Sequence, residues 1–173
     1  EHVFIKNGLL AKNKKQLNIL EVGFGTGLNA LLTAQKAKQK NIAVNYYGIE
    51  LYPVSIANYT QLNFTDLIGI DRSELLKLHE CSWEEEHTIH GFFKLTKNKI
   101  ALGDYTSKMK FDIIYFDAFS PEKQPHLWSS EIFQNMYKLL NNDGFLVTYC
   151  AKGIVKRTMK SVGFEIIVLD GPP

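Results

Sequence analysis

The chain has 173 residues, 45% of them hydrophobic and 22% charged, which suits one globular domain with a sizeable core. Lys and Arg number 20 against 18 Asp and Glu, and a net charge of +2 is too near balance for binding nucleic acid by bulk charge alone. No apolar run approaches the roughly 18 residues of a membrane span, and the two cysteines, Cys81 and Cys150, lack metal-ligand spacing, so a reducing cytoplasmic setting with no metal is expected.

The opening Glu1-His2-Val3-Phe4-Ile5-Lys6 lacks the basic-then-apolar order of a signal peptide. Leu17 to Val22 reads as a buried strand. It runs into Gly23-Phe24-Gly25-Thr26-Gly27, and apolar residues at helical spacing carry a helix from Gly27 to about Lys40. Two glycines would satisfy a tight turn. Three alternating ones imply a ligand lying close to the backbone at a helix N-terminus. A dinucleotide fingerprint would need its third glycine at the position of Leu28, and no Lys-Ser/Thr pair follows as in a phosphate-binding P-loop.

Asn45 to Glu50 reads as the second strand, and Tyr52 to Asn63 as a helix entered through Pro53. Residues 64–90 are polar and read as mostly helical, with Ser73 capping Glu74 to His79. Gly91–Leu95 and Lys99–Leu102 alternate as the arms of a hairpin around Thr96-Lys97-Asn98, ending at Gly103-Asp104. Phe111 to Phe116 is a continuous apolar run, the mark of a central parallel strand. Ser129 or Ser130 caps a helix to Leu140, Asn142-Asp143-Gly144 is a turn, and Phe145 to Tyr149 is a strand. A helix from Gly153 to Val162 stops at Gly163, and Phe164 to Leu169 reads as the last visible strand. This alternation predicts a single α/β domain over residues 1–173, a Rossmann-like, doubly wound, mostly parallel sheet with a hairpin insertion around 91–103.

In such a sheet ligands lie over the C-terminal strand ends. Four acids fall there: Glu21, Glu50, Asp104 and Asp117. Glu50 stands where a carboxylate can accept ribose hydroxyls. Asp117 directly follows a buried strand, so it faces the cleft or is paired. It opens the loop D-A-F-S-P-E-K-Q-P, stiffened by Pro121 and Pro125 and anchored by Trp128, a suitable substrate wall. His79, His87 and His90 are too loosely spaced for a zinc site. Lys156, Arg157 and Lys160 share one helical face, fit either for phosphates or for solvent.

The E-x-G-x-G-x-G stretch resembles motif I of the class I S-adenosylmethionine methyltransferases. Together, E-V-G-F-G-T-G-L-N, D-A-F-S-P-E-K-Q-P-x-L-W and T-Y-C-A-K-G-I-V-K-R-x-M-K-S-V-G-F resemble the methyltransferase domain of the MnmC family, and its stand-alone MnmD relatives still more closely. The opening E-H-V-F-I-K-N-G-L and the Gly91–Asp104 hairpin are similar to further family segments. The resemblance implies methylation of the 5-aminomethyl group of a tRNA wobble uridine, usually 2-thiolated, with S-adenosylmethionine as methyl donor. It implies that Glu21, Gly23, Phe24, Gly25, Thr26, Gly27, Asn29, Glu50, Gly103, Asp104 and Asp117 hold the cofactor, Asp104 near the adenine. Asp117 would also stand where methyl donor and amine meet. Phe119, Ser120, Pro121, Lys123, Trp128, Lys156, Arg157 and Lys160 would face the tRNA. The family continues with a G-K-R-E-M-like strand where this sequence stops at Pro172-Pro173, so the last strand of the sheet is expected to be missing. An aminopropyltransferase of the spermidine synthase type is the rival enzyme, although D-A-F-S-P lacks a second acid to grip a diamine. A degenerate, non-catalytic RNA- or protein-binding module is the other alternative.

Overall fold

Apolar strand runs separated by helical ones can bury their backbone only as a sheet covered on both faces. The computed structural model, which describes residues 1–171, has that form. Its strands are β1 (Gln16–Val22), β2 (Ala43–Ile49), β3 (Glu86–His90), β4 (Phe93–Asn98), β5 (Phe111–Phe116) and β6 (Leu140–Thr148). They lie in the order β3-β4-β2-β1-β5-β6, all parallel except the edge strand β3, which is antiparallel to β4. The chain leaves β1 to one side for β2 and to the other for β5, so the crevice over the ends of β1 and β5 is the topological switch point.

The helices are α1 (Leu28–Lys40), α2 (Ile56–Tyr59), α3 (Phe64–Ile68), α4 (Arg72–Glu80), α5 (Ser130–Leu139) and α6 (Gly153–Ser161). Two apolar cores result. One gathers Leu31 and Ala34 of α1, Leu75 and Leu78 of α4, and Tyr46, Phe93 and Tyr115 of the sheet. The other packs Phe133 and Met136 of α5, Val155 and Met159 of α6, and Trp128 on Leu20, Ile114 and Phe116. β5 is buried at every position, and each large side chain so placed contributes about 1.5–3 kcal/mol. No helix among the described residues is long and apolar enough to cross a membrane.

The doubly wound α/β architecture is the expected one, but five elements differ. The 52–63 helix is a single turn, Ile56–Tyr59. Thr60, Asn58 and Asn63 are poor interior residues, and the Thr60 hydroxyl donates to the Ile56 carbonyl at 2.7 Å. The cap of α4 is Asp71, whose carboxylate accepts from the Ser73 N–H; Ser73 itself is inside the helix.

The hairpin is real but shifted. Its arms are β3 and β4, turning at Gly91-Phe92, and the predicted turn Thr96-Lys97-Asn98 is the end of the inner strand. β3 gives no strand signal in the sequence because an edge strand of Glu, His and Thr shows no apolar run. The Phe164–Leu169 segment is not a strand. A cavity of about 1050 Å³ separates it from β6, so it has no ladder partner, and Ile167 and Val168 are exposed. Pro172 and Pro173 lie outside the described residues. The Asn142–Gly144 turn is instead a bulge within β6, opposite Phe111 to Ile113.

Candidate active site

The glycine loop crosses the switch point because its backbone is tied to the sheet beneath. The N–H groups of Gly23 and Phe24 both donate to the Ile49 carbonyl, at 3.0 and 3.1 Å. Gly23, Gly25 and Gly27 have φ of +86°, +51° and +73°, the left-handed region that a Cβ disfavours. Their surroundings differ. A Cβ on Gly23 would sit 2.9 Å from the Asp117 carbonyl oxygen. A Cβ on Gly25 would meet only the Gly23 carbonyl oxygen, at 3.9 Å. The middle of the loop thus faces open space, a cradle fit for the expected cofactor.

Both oxygens of Glu50 brace this cradle, accepting from the Gly25 N–H at 3.1 Å and the Tyr52 N–H at 2.9 Å. A carboxylate oxygen has a second lone pair, so ribose hydroxyls can still donate to it. Phe24 is buried beneath the loop, where a Cβ on Gly48 would lie 2.7 Å from its ring. It therefore supports the cradle from below. His79 of α4 bonds the carbonyl of the exposed Thr26 at 3.1 Å and stacks on Tyr59.

Lys97, at the predicted hairpin turn, is wholly buried. Its ammonium donates to the His79 carbonyl at 2.8 Å and sits 4.8 Å from the Trp83 ring centroid and 5.9 Å from that of Phe24. Burial holds its pKa below the ordinary lysine value. A charged residue at an inward strand position gives no sequence signal of burial, so this support is visible only in the fold.

The acids divide by environment. Glu21 is buried, and desolvation pushes its carboxyl up to about 8, with the neighbouring charges of Asp117 and Glu50 acting in the same direction. The hydrogen bond from Asn29 opposes this shift. Asp117 follows β5, its N–H donating to the Val22 carbonyl at 3.0 Å, and burial raises its carboxyl above the usual value against the pull of the Asn29 amide. Asn29 Nδ2 lies 2.9 Å from Glu21 Oε1 and 2.8 Å from Asp117 Oδ2. Both acids are pushed toward their protonated forms, Glu21 the more strongly because it is the more deeply buried.

The protonation of Glu21 has a stability consequence. An acid that holds its proton more tightly when folded stabilises fully below its unfolded pKa, and loses that contribution as pH rises through the folded value. Between an ordinary value of 4.5 and about 8, stability on the order of a few kcal/mol should drain away. The Tm should accordingly fall from about pH 5 to about pH 8. Glu21→Gln, which keeps a neutral acceptor for Asn29, should flatten that fall. Equal slopes in wild type and variant would contradict a protonated Glu21.

Beyond Asp117 the loop turns outward. Ala118 is buried, Phe119 is 66% exposed, and the Lys123 ammonium lies 5.7 Å from its ring centroid. The Ser120 carbonyl accepts from the Lys123 and Gln124 N–H groups, closing the turn that contains Pro121. Trp128 is buried. Its indole N–H donates to the Phe119 carbonyl at 2.8 Å and its ring packs on Phe116, so it acts on the loop from inside and offers no face to a substrate.

Tyr149, in the sequence no more than a strand end, holds the same loop from the other side. Its hydroxyl donates to the Ala118 carbonyl at 2.8 Å while 45% of the residue stays exposed. Gly103 and Asp104 occupy an exposed one-turn 3-10 helix, and no hydrogen bond among the described residues joins the Asp104 side chain to the glycine loop. On α6, Arg157 and Lys160 are exposed and Lys156 is half-buried beside the β6 cavity. Lys152, at the cap of α6, pairs with Glu122 of the Asp117 loop.

Residues 73–171, more than half of the chain, match a family model described as S-adenosyl-L-methionine-dependent methyltransferase. Among curated relatives, the chain is 29% identical over 96% of its length to the tRNA 5-methylaminomethyl-2-thiouridine biosynthesis bifunctional protein MnmC of Pseudoalteromonas atlantica, and 30% identical over 95% to that of Cupriavidus necator. It spans 27% of the length of each of those relatives. Among solved structures it is similar to MnmC2 from Aquifex aeolicus, with a TM-score of 0.70 and 22% identity over 91% of this chain and 50% of that one. A putative methyltransferase from Thermoplasma acidophilum shares the fold at a TM-score of 0.51 and 14% identity, over 95% of this chain and 63% of that one.

Proposed function

The chain belongs to the S-adenosyl-L-methionine-dependent methyltransferase family, and from that premise we propose that it methylates the 5-aminomethyl nitrogen of a wobble uridine in tRNA, giving 5-methylaminomethyluridine. The wobble uridine is 2-thiolated in the preferred substrate, and the reaction takes place in the cytoplasm. One observation carries the reading. A half-buried carboxylate, Asp117, stands between the glycine cradle and an outward loop bearing Phe119, with Oδ2 held at 2.8 Å by Asn29. The names of the MnmC relatives point to the same nucleoside.

S-adenosylmethionine supplies, when bound, an electrophilic methyl group on a sulfonium sulfur. The chain's task is to present an amine lone pair in line with that methyl and to exclude competing water, which makes catalysis chiefly orientation. Gly25 would leave room for the donor, Glu50 would take the ribose hydroxyls, and Gly103 and Asp104 would close over the adenine. An alkylammonium must lose a proton before it can attack. The upward shift of Asp117 brings a carboxylate closer to the range in which it can accept that proton, and its acceptor oxygen then aligns the free amine. The N–C bond forms as the C–S bond breaks, and the electron pair of that bond stays on sulfur.

The deciding experiment is incubation of the protein with S-adenosylmethionine and tRNA carrying 5-aminomethyluridine, followed by nucleoside mass spectrometry. A gain of one methyl on that nucleoside is the expected result. An unchanged nucleoside, with putrescine consumed in the presence of decarboxylated S-adenosylmethionine, would overturn it.

The basic face of α6 supplies a second expectation. Replacing Lys156, Arg157 and Lys160 by Ala should weaken tRNA binding and reduce the log–log salt slope by up to ~2–3, about one unit for each phosphate no longer neutralised. Binding of S-adenosylmethionine should stay unchanged. An unaltered slope would move the tRNA-binding surface to another face, with the Lys12, Lys14 and Lys15 cluster tested next.

A further inference from the structure

The direction of the Asp117 carboxylate is set by a side chain outside its own loop. Asn29 stands in the first turn of α1, half-buried, with both Glu21 Oε1 and Asp117 Oδ2 within 3 Å of its amide nitrogen, at 2.9 and 2.8 Å. A carboxamide nitrogen carries two hydrogens and cannot accept. Both are committed, one to an acid ahead of the glycine loop and one to the acid after β5. Resting on the methyl-transfer reading above, we infer that Asn29 is a positioning residue that clamps Oδ2 of Asp117 and leaves Oδ1 as the oxygen that meets the substrate amine.

The chemistry of the two acids makes this arrangement specific for an amide. Glu21 is mainly neutral at working pH, so its Oε1 accepts from Asn29 without adding a second charge. The bond to Asp117 is charge-assisted, hence shorter and stronger than a neutral one. Ser could reach one acid with its single O–H, Asp would place a third carboxylate between the first two, and Leu would fill the volume with no donor. Glu21 of β1, Tyr46 of β2 and Tyr149 after β6 feel the Asp117 charge, and none of these three is a cation. The Asn29 amide thus supplies the hydrogen bond that offsets burial at Asp117. It also couples the first turn of α1, directly after the cofactor cradle, to the reacting carboxylate.

The test compares wild type, Asn29→Leu and Asn29→Ser. The Asp117 carboxyl is followed by carbon NMR in 13C-aspartate protein and assigned with Asp117→Asn. Asn29→Leu should raise the Asp117 titration by about half a pH unit or more, the direction set by loss of a donor to the charged form. The acid limb of its kcat–pH profile should move the same way, and kcat should fall about 10-fold or more, the scale of weakened acid–base alignment. The affinity for S-adenosylhomocysteine should stay within about threefold, since the clamp acts through Asp117 rather than on the cofactor. Asn29→Ser, keeping one donor, should fall between, and it carries the test if the Leu variant does not fold.

An Asp117 titration and kcat unmoved in the folded variants would overturn the inference. So would loss of S-adenosylhomocysteine binding with the Asp117 titration unchanged, because Asn29 would then serve the cofactor. The titration needs no tRNA. If it moves as expected while wild type leaves 5-aminomethyluridine unmodified, the clamp stands and the substrate assignment falls.

Discussion

Asp117→Asn should lower turnover on tRNA carrying 5-aminomethyluridine by ~10²-fold or more, the scale of a lost base or orienting group, and leave S-adenosylmethionine affinity within a few-fold. The reason is local. The substitution keeps the shape and an oxygen that can accept from Asn29, but removes the negative charge that attracts and deprotonates an ammonium. Raising the pH should recover part of the loss, because the substrate amine then arrives already neutral. Turnover near that of wild type at neutral pH would make Asp117 a structural residue that merely closes β5.

Gly23→Ala is expected to damage cofactor binding and turnover together. At φ +86° a Cβ is strained, and here it would also lie 2.9 Å from the Asp117 carbonyl oxygen and 3.4 Å from its carbon. Neither neighbour can swing aside, since the Asp117 N–H is bonded to Val22 and the Gly23 N–H to Ile49. Strain of about 1–3 kcal/mol converts to a loss of roughly 5-fold to 150-fold in S-adenosylmethionine affinity, and the Asp117 loop moves with it. Gly91→Ala is the matched control: it sits in the β3–β4 turn with nothing within 4 Å of the added methyl and no positive φ. Equal affinities in the two variants would mean that the loop yields more readily than its hydrogen bonds imply.

The glycine loop, the buried β5 and the acids Glu50 and Asp117 were legible in the sequence because each obeys a local rule: alternating glycines, an unbroken apolar run, a charge at its end. What escaped depends on pairing across the fold. Lys97 reads as a turn residue and is a buried strand residue, because its charge is satisfied by a carbonyl of α4 and two aromatic faces. Ser73 and Asp71 are equally good caps by residue type, and only the geometry of the turn selects Asp71. Phe164–Leu169 has strand composition, but composition cannot supply a neighbouring strand. Asn29 reads, through the family resemblance, as a cofactor residue, with no sign that it bridges two acids. Its bridging role exists only because β1 and β5 are adjacent, a pairing across some ninety residues of sequence. Tyr149 is likewise defined by the loop that it braces from the next strand.

The indole of Trp128, bonded to the Phe119 carbonyl, makes the substrate loop optically visible. The chain has two tryptophans, and the other, Trp83, packs edge-on to Phe24 beneath the cofactor cradle. Indole emission shifts with the polarity and hydrogen bonding of its surroundings, so each half of the site contains its own intrinsic fluorophore. With Trp83 replaced by Phe, emission from Trp128 alone reports the outward loop. With Trp128 replaced by Phe, Trp83 reports the cradle. The order in which methyl donor and RNA engage can thus be timed by stopped flow without attaching a dye.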